Sequence, residues 1–430
     1  MKRYETYKDS VIQSGEIPEN WNQKPFSALF KLMNRKNFPN KELLSVYLDK
    51  GVIRFRDIEE KRTNVTSEDL TGYQLVKKGD FVINNQQAWR GSVGVSKYEG
   101  IISPAYLVLE FKENFHPNFA NYLLRNISVV SKYLISSKGV GTIQRNLYWP
   151  SLKSVYLNYP SLSEQLAIAS FLDNKTAKID QTISIKEKEI ELLKERRQIL
   201  IQKAVTKGLD DKVKLKDSGV EWIGEVPEHW EVRKLMGVCR FIRGNSPFGK
   251  DELLEEGEYV AIQYGKAYKV NEVNKEYGYY VNNEFYKKSQ VVSYGDIILI
   301  STSETIDDLG HTVYYRRNDL GLLGGEQIML KPKQEEINSQ YLYFTSKVFS
   351  KELRKFATGI KVFRFNINDL KTIFTVLPPL SEQNEIANYI ETKSTKISKA
   401  ISLKQQEIEK LKEYKTVLID NVVTGKVKVS

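Results

Sequence analysis

Asn, Gln, Lys and Arg side chains gather in short loops of this chain. The segment "NNQQAWRG" supplies Gln86, Gln87, Trp89 and Arg90, "KGVGTIQRN" supplies Lys138, Gln144 and Arg145, and "IRFRD" adds Arg54 and Arg56. Further along, "IRGNSPFGK" carries Arg243 and Lys250, "IQYGK" carries Gln263, Tyr264 and Lys266, and "GIKVFRFN" carries Lys361 and Arg364. Amides and guanidinium groups can each bond a base edge at two points in the major groove, and basic groups answer phosphate. As a set these loops suit the reading of DNA; taken singly, each reads as an ordinary polar loop.

Catalytic chemistry finds less support. The three histidines, His116, His229 and His311, are scattered, without a metal-ligating partner three or four residues away. The run "GNSPFGKD" approaches a phosphate-binding loop, but Asp251 stands where a magnesium-binding hydroxyl belongs and no clear helix start follows, so a strand-to-loop turn is expected. "KGVGT" is too short for a dinucleotide fingerprint, and "LPPLSEQ" lacks the polar and aromatic neighbours of an amino-methyltransferase pocket. The acidic residues of "KEKEIELLKERR" have the spacing of a solvated coiled-coil flank.

The 430 residues suffice for two or three domains, and 41% hydrophobic with 28% charged residues describes a soluble globular chain. An excess of 65 Lys and Arg over 54 Asp and Glu, net +11, attracts polyanions. The single cysteine, Cys239, excludes an internal disulfide framework. With no apolar leader and no long apolar run, a cytoplasmic location away from any membrane is expected.

What must position these loops is a duplicated scaffold. "PSLSEQLAIASFLDNKTAKID" from Pro160 is answered by "PPLSEQNEIANYIETKSTKIS" from Pro378; the "LSEQ" copies begin at Leu162 and Leu380, an offset of 380 − 162 = 218. "GEIPENW" is answered by "GEVPEHW", "KKGDFVI" by "SYGDIIL", and "LIQKAVT" by "LIDNVVT". Two heptad series run through the first long helix: Leu172, Ile179, Lys186, Leu193 and Leu200, and Ile183, Ile190, Arg197 and Ala204. The second helix repeats both, with Ile390, Ile397, Lys404, Leu411 and Leu418, and Ile401, Ile408, Lys415 and Val422. Matching seams predict that the helices pair with each other, antiparallel and pseudo-twofold, with neighbouring chain ends, like a ring of two repeats cut open. Ser163 and Ser381 are expected as N-caps, with Glu164 and Glu382 meeting the helix dipole. Capping leaves Gln165 and Gln383 unexplained. Between these helices lie segments of short β-branched and aromatic runs mixed with short helical stretches, so the fold class expected is mixed α/β.

The "EIPENW/EVPEHW" lead-in, the "GD" strand, "GVSKYEGIISPAYLVL" from Gly94 and the doubled P-x-L-S-E-Q-x-x-I-A helix entrance together resemble the specificity subunit of type I restriction-modification systems, over nearly the whole chain. The resemblance implies two target recognition domains, each reading one half of a bipartite double-stranded DNA site, joined by two antiparallel spacer helices that set the gap. The expected division is residues 1–160 and 211–378 for the recognition domains with their lead-ins, and 161–210 and 379–430 for the helices. It also implies that two methyltransferase subunits and restriction/translocase subunits dock on the assembly, with Glu164, Gln165, Glu382 and Gln383 as docking residues, and that the chain itself is not an enzyme. S-adenosylmethionine, ATP and magnesium then belong to the partners. The rival readings are a stand-alone DNA methyltransferase or nuclease, and a coiled-coil scaffold without a DNA role.

Overall fold

Two repeated Gly-Asp pairs fix the centre of each sheet. Gly79 and Gly295 turn the chain with φ of 96° and 90°, a region where a side chain costs energy and glycine does not. The following aspartates accept the backbone N–H of the residue three back: Asp80 from Lys77 and Asp296 from Ser293, both at 2.8 Å. Burial raises the pKa of both carboxyls. Arg35 partners Asp80 at 2.5 Å, and Lys331 partners Asp296 at 3.1 Å. The chain then enters a strand buried on both faces, Phe81–Asn84 in one copy and Ile297–Ile300 in the other.

The computed structural model describes residues 2–10, 16–48, 50–58, 69–113, 115–139 and 145–429. It divides into two compact units, residues 1–186 with 405–430, and residues 187–404. The first unit holds a four-stranded antiparallel sheet ordered Phe30–Met33, Tyr106–Phe111, Phe81–Asn84, Val93–Val95. The second holds Cys239–Arg243, Gln327–Pro332, Ile297–Ile300 and Thr312–Tyr315 in the same antiparallel order, plus Glu272–Val273 added parallel at the edge. Both units are therefore mixed α/β, as their short β-branched and aromatic runs and short helical stretches predict. The segment "NFANYLLRNI" enters two helices, Pro117–Leu124 and Ile127–Ile135. The break falls at Asn126, whose side chain caps the second helix through the Ser128 N–H.

Two long helices, Leu162–Lys207 and Leu380–Val423, run 46 and 44 residues. Each contributes one stretch to each unit, and within each unit the two stretches are antiparallel. In the first, Leu172 and Ile179 share a buried cluster with Leu418, Val422 and Val423. In the second, Ile201, Ala204 and Val205 do so with Ile386, Ala387 and Ile390. The basic residues interrupting the seam each find a partner on the other helix. In the first unit Lys186 meets Glu407 at 2.6 Å and Lys415 meets Asp180 at 2.7 Å. In the second, Lys404 meets Glu189 at 2.5 Å and Arg197 donates to Ser398 at 3.2 Å. These are the same pairs displaced by 218: the 186–407 contact recurs as 404–189, and the 180–415 contact as 398–197. Exposed ion pairs stabilise by at most about 1 kcal/mol each, so the apolar seam supplies the affinity and the pairs fix register. At the chain ends, the Lys428 N–H donates to the Lys2 carbonyl at 2.9 Å.

Ser163 and Ser381 do not cap. The helices begin at Leu162 and Leu380, which places both serines inside the first turn. The Ser161 carbonyl receives Gln165 N–H and the Pro379 carbonyl receives Gln383 N–H, so Ser161 and Pro379 hold the capping position.

Within the second unit a cavity of about 500 Å³ is lined by Arg197, Tyr343, Lys347, Glu391 and Ser394, among others. The Lys347 ammonium bonds Asn271 Oδ1 and the Thr312 carbonyl, both at 3.1 Å, and lies 4.6 Å from the Tyr343 ring centroid. Burial first, and then Arg197, pushes its pKa down to about 7, with Glu272 opposing. The folded pKa lies below the unfolded value of 10.5, so between these values the unfolded chain binds the extra proton and stability rises with pH. Denaturant titrations should show unfolding free energy climbing from pH 7 toward about pH 10. Lys347→Met should flatten that rise.

Candidate nucleic-acid interface

The repeated motifs touch each other. Trp21, buried in the first unit, donates its indole N–H to Glu164 Oε1 at 3.3 Å, and the same oxygen accepts the Tyr4 hydroxyl at 2.5 Å. Trp230 donates to Glu382 Oε2 at 2.9 Å, with His229 Nε2 at 2.8 Å from Oε1. Each indole also lies against the glycine that ends the other long helix of its unit: a Cβ on Gly425 would come 3.3 Å from Trp21, and one on Gly208 3.1 Å from Trp230. Those glycines have φ of 79° and 77°, the left-handed helix-ending conformation. Each Trp thus joins the start of one helix to the end of its neighbour.

Gln165 and Gln383, expected at a docking surface, are buried and spent within their own units. Gln165 Oε1 accepts the His116 N–H at 3.0 Å, and its amide donates to the Pro160 carbonyl at 3.0 Å. Gln383 repeats this with Asn338 N–H at 2.8 Å and the Pro378 carbonyl at 2.8 Å. Each ties the helix entrance to the lead-in of a domain helix. Helix capping does not foretell this, because one backbone partner of each amide lies 45 to 49 residues away.

Among the DNA-reading candidates of the first unit, Gln86, Gln87, Trp89 and Arg90 form one turn directly after the central strand. Asn84 Oδ1 accepts the Gln86 N–H at 3.2 Å, Trp89 donates its indole N–H to the Gln86 carbonyl at 3.1 Å, and the Arg90 guanidinium lies 4.6 Å from the Trp89 ring centroid. Arg54 and Arg56 converge on Glu42, at 3.4 and 3.0 Å. Lys138 projects from the strand Ser137–Lys138 to lie 4.2 Å from the Tyr148 ring centroid, and Arg145 immediately precedes the partner strand Asn146–Leu147. Gln144 lies outside the described residues.

In the second unit Arg243 and Arg364 come together. They line a groove of about 150 Å³ with Thr302, Glu326, Thr358 and Asn366. Lys361 is exposed on the hairpin that carries Arg364. Gln263 is spent differently: its Oε1 accepts the Lys266 N–H at 3.1 Å, capping the short helix Tyr264–Ala267. Lys266 lies 4.4 Å from the Tyr279 ring centroid. Burial, then Glu304, Glu326 and Asp308, raise the Tyr264 hydroxyl pKa. Lys250 is exposed on the loop after the first strand, outside the Arg243–Arg364 groove. Gly244 of the "GNSPFGKD" run lies against Gly324, where a Cβ would sit 1.8 Å from the carbonyl oxygen. No helix opens after that run.

Glu326 was not anticipated. It is a non-glycine residue at φ 60°, accepting the Thr302 hydroxyl at 2.5 Å and lying 3.8 Å from Arg364. Such a backbone costs of order 1–3 kcal/mol and persists where its surroundings hold it; the sequence signal was the preceding Gly324–Gly325 pair. Among the described residues, no group of three or more His, Cys, Asp or Glu side chains is arranged to hold a metal. No described helix is long and apolar enough to cross a membrane.

Residues 18–195 and 227–413 match the family model of the type I restriction modification DNA specificity domain, one copy in each half of the chain. A Methanocaldococcus jannaschii protein bearing the name MjaX type I restriction enzyme specificity subunit is 27% identical over 453 residues, covering 99% of this chain and 97% of its own. The type I restriction enzyme MjaVIII specificity subunit of the same organism is 25% identical over 447 residues, covering 100% of this chain and 98% of its own. A solved chain, described as the structural basis of complex assembly and conformational transition of the type I R-M system, superposes with a TM-score of 0.71 at 16% identity. It covers 96% of this chain and 99% of that one, a likeness of fold.

Proposed function

From the premise that this chain belongs to the type I restriction-modification DNA specificity family, we propose that each of its two units reads one half of a bipartite site in double-stranded DNA. The paired helices then set the unread gap. The observation that carries this reading is the contrast between scaffold and loops. The Trp–Glu clamp, the buried Gln and the seam contacts recur in both units, whereas the side chains offered to DNA do not. The first unit presents Gln86, Gln87 and Arg90 beside Trp89, and the second presents Arg243 and Arg364 across a groove. One support holding two dissimilar readers suits a site with two different halves.

In this proposal residues 1–160 and 211–378 are the recognition domains and 161–210 and 379–430 the spacer helices. The chain acts without catalysis of its own. Two methyltransferase subunits bring S-adenosylmethionine to the bound site, restriction/translocase subunits bring ATP and magnesium, and the complex works in the cytoplasm. Glu164 and Glu382 keep exposed edges beside their Trp partners, which leaves them available to a docking subunit as Gln165 and Gln383 are not.

The test is to map methylated bases in cells carrying the chain with its partner subunits, before and after inserting seven residues behind Lys186 and behind Lys404. A heptad preserves the seam and adds about 10 Å, or about three base pairs of gap. The expected result is two unchanged half-sites at a longer spacing. Altered half-sites at an unchanged spacing would contradict the proposal.

A further inference from the structure

Ile360 is almost wholly solvent-exposed, at 96%, and Val362 beside it is 38% exposed. Their hairpin is nevertheless firmly built. Thr358 N–H donates to the Arg364 carbonyl at 3.0 Å, and Arg364 N–H returns a bond to Thr358 at 2.9 Å. Phe363 and Arg364 pair antiparallel with Ser303 and Thr302, and Phe365 is buried at the root. Gly359, at φ 112°, makes the tip tight enough that a Cβ there would come 2.0 Å from the Val362 carbonyl oxygen. A rigid hairpin holding an apolar side chain out in water leaves it a partner to find, and the charges around it say which kind. Lys361 stands next to it, while Arg364 and Arg243 line the groove at its base.

Resting on the DNA-reading function above, we propose that Ile360 makes an apolar contact with a thymine C5-methyl in the half-site read by the second unit. Lys361 answers the adjoining phosphate, Arg243 and Arg364 bond base edges, and the aliphatic tip supplies what a guanidinium or amide cannot, an apolar surface against the C5-methyl that thymine carries in the major groove. The contact specifies a base without any hydrogen bond.

The experiment removes the methyl from either side. Once the two half-sites are mapped, binding of the full chain with its methyltransferase subunits is measured on duplexes carrying thymine or deoxyuridine in the second unit's half-site. The wild-type complex should lose about threefold to fivefold affinity on the deoxyuridine duplex, the worth of one buried methyl. Ile360→Ala, at an exposed position, should melt like the wild type, lose the same factor on thymine DNA, and lose nothing further on deoxyuridine DNA. The inference is overturned if the wild type is indifferent to deoxyuridine, if the two losses multiply, or if that half-site has no A·T pair. It is equally overturned if Ile360→Ala weakens subunit assembly while DNA selection stays intact, since the tip would then contact protein. A wild-type complex that selects no two-part site would instead bring down the DNA-reading function itself, and this contact with it.

Discussion

Replacing Trp230 with Ala is expected to destabilise the second unit by about 3–5 kcal/mol, the range for deleting a large buried aromatic side chain. The indole is buried, donates to Glu382 at 2.9 Å, and packs on the glycine that ends the first long helix. Its loss frees the start of one helix from the end of the other as well as opening a cavity. Trp21→Ala should do the same in the first unit, through Glu164 and Gly425. Trp230→Phe should recover part of the packing while leaving Glu382 with His229 alone. Gln383→Ala should cost about 1–3 kcal/mol, because the Asn338 N–H and Pro378 carbonyl lose a buried partner. Denaturant unfolding of the full chain measures all four. Gln165→Ala and Gln383→Ala variants that unfold like the wild type yet fail to bind methyltransferase subunits would restore a docking role to these amides.

The duplication made most of the scaffold legible. Residues repeated in both halves, 209 apart for "EIPENW" and 218 apart for "LSEQ", are those whose neighbours are also repeated, so these motifs could be recognised before it was clear that they meet. The helix seam was readable because heptad spacing is a local property of one strand of sequence. Long-range pairings were not. That Gln165 reaches His116, or that Trp230 rests on Gly208, depends on a fold bringing distant backbone together, and single residues carry no trace of it. The Ser163 and Ser381 caps were misplaced by two residues for a local reason: Ser161 and Pro379 offer an earlier start, and helix ends are set by which carbonyl first receives a bond. For the interface, residue type identified groups able to read bases but not how they are held. Arg54 and Arg56 look equivalent to Arg364 in sequence, yet the first two share Glu42 while the third opens onto a groove. The strained Glu326 was signalled only by the Gly324–Gly325 pair before it and the exposed Ile360 not at all, because backbone conformation and exposure belong to the loop and not to the letter.

Exchanging residues 23–155 for the corresponding region of a family member with a different DNA preference should change one half of the recognised site completely, while the other half and the gap stay as they are. The expectation follows from where the proposed contacts lie. The turn of Gln86, Gln87 and Arg90, with Lys138 and Arg145, falls inside the exchanged segment, and each base pair read by a bidentate contact carries about 1–3 kcal/mol of discrimination. Trp21, Glu164, Gln165 and both long helices fall outside it, so the clamp and the seam that register the helices are untouched. Arg243, Arg364 and their groove belong to the other unit. Mapping every methylated base in cells carrying the exchanged chain and its methyltransferase subunits is the direct measurement. Two modular readers on a shared scaffold predict a hybrid site, new in one half and identical in the other, at the original spacing; a site altered in both halves would contradict them.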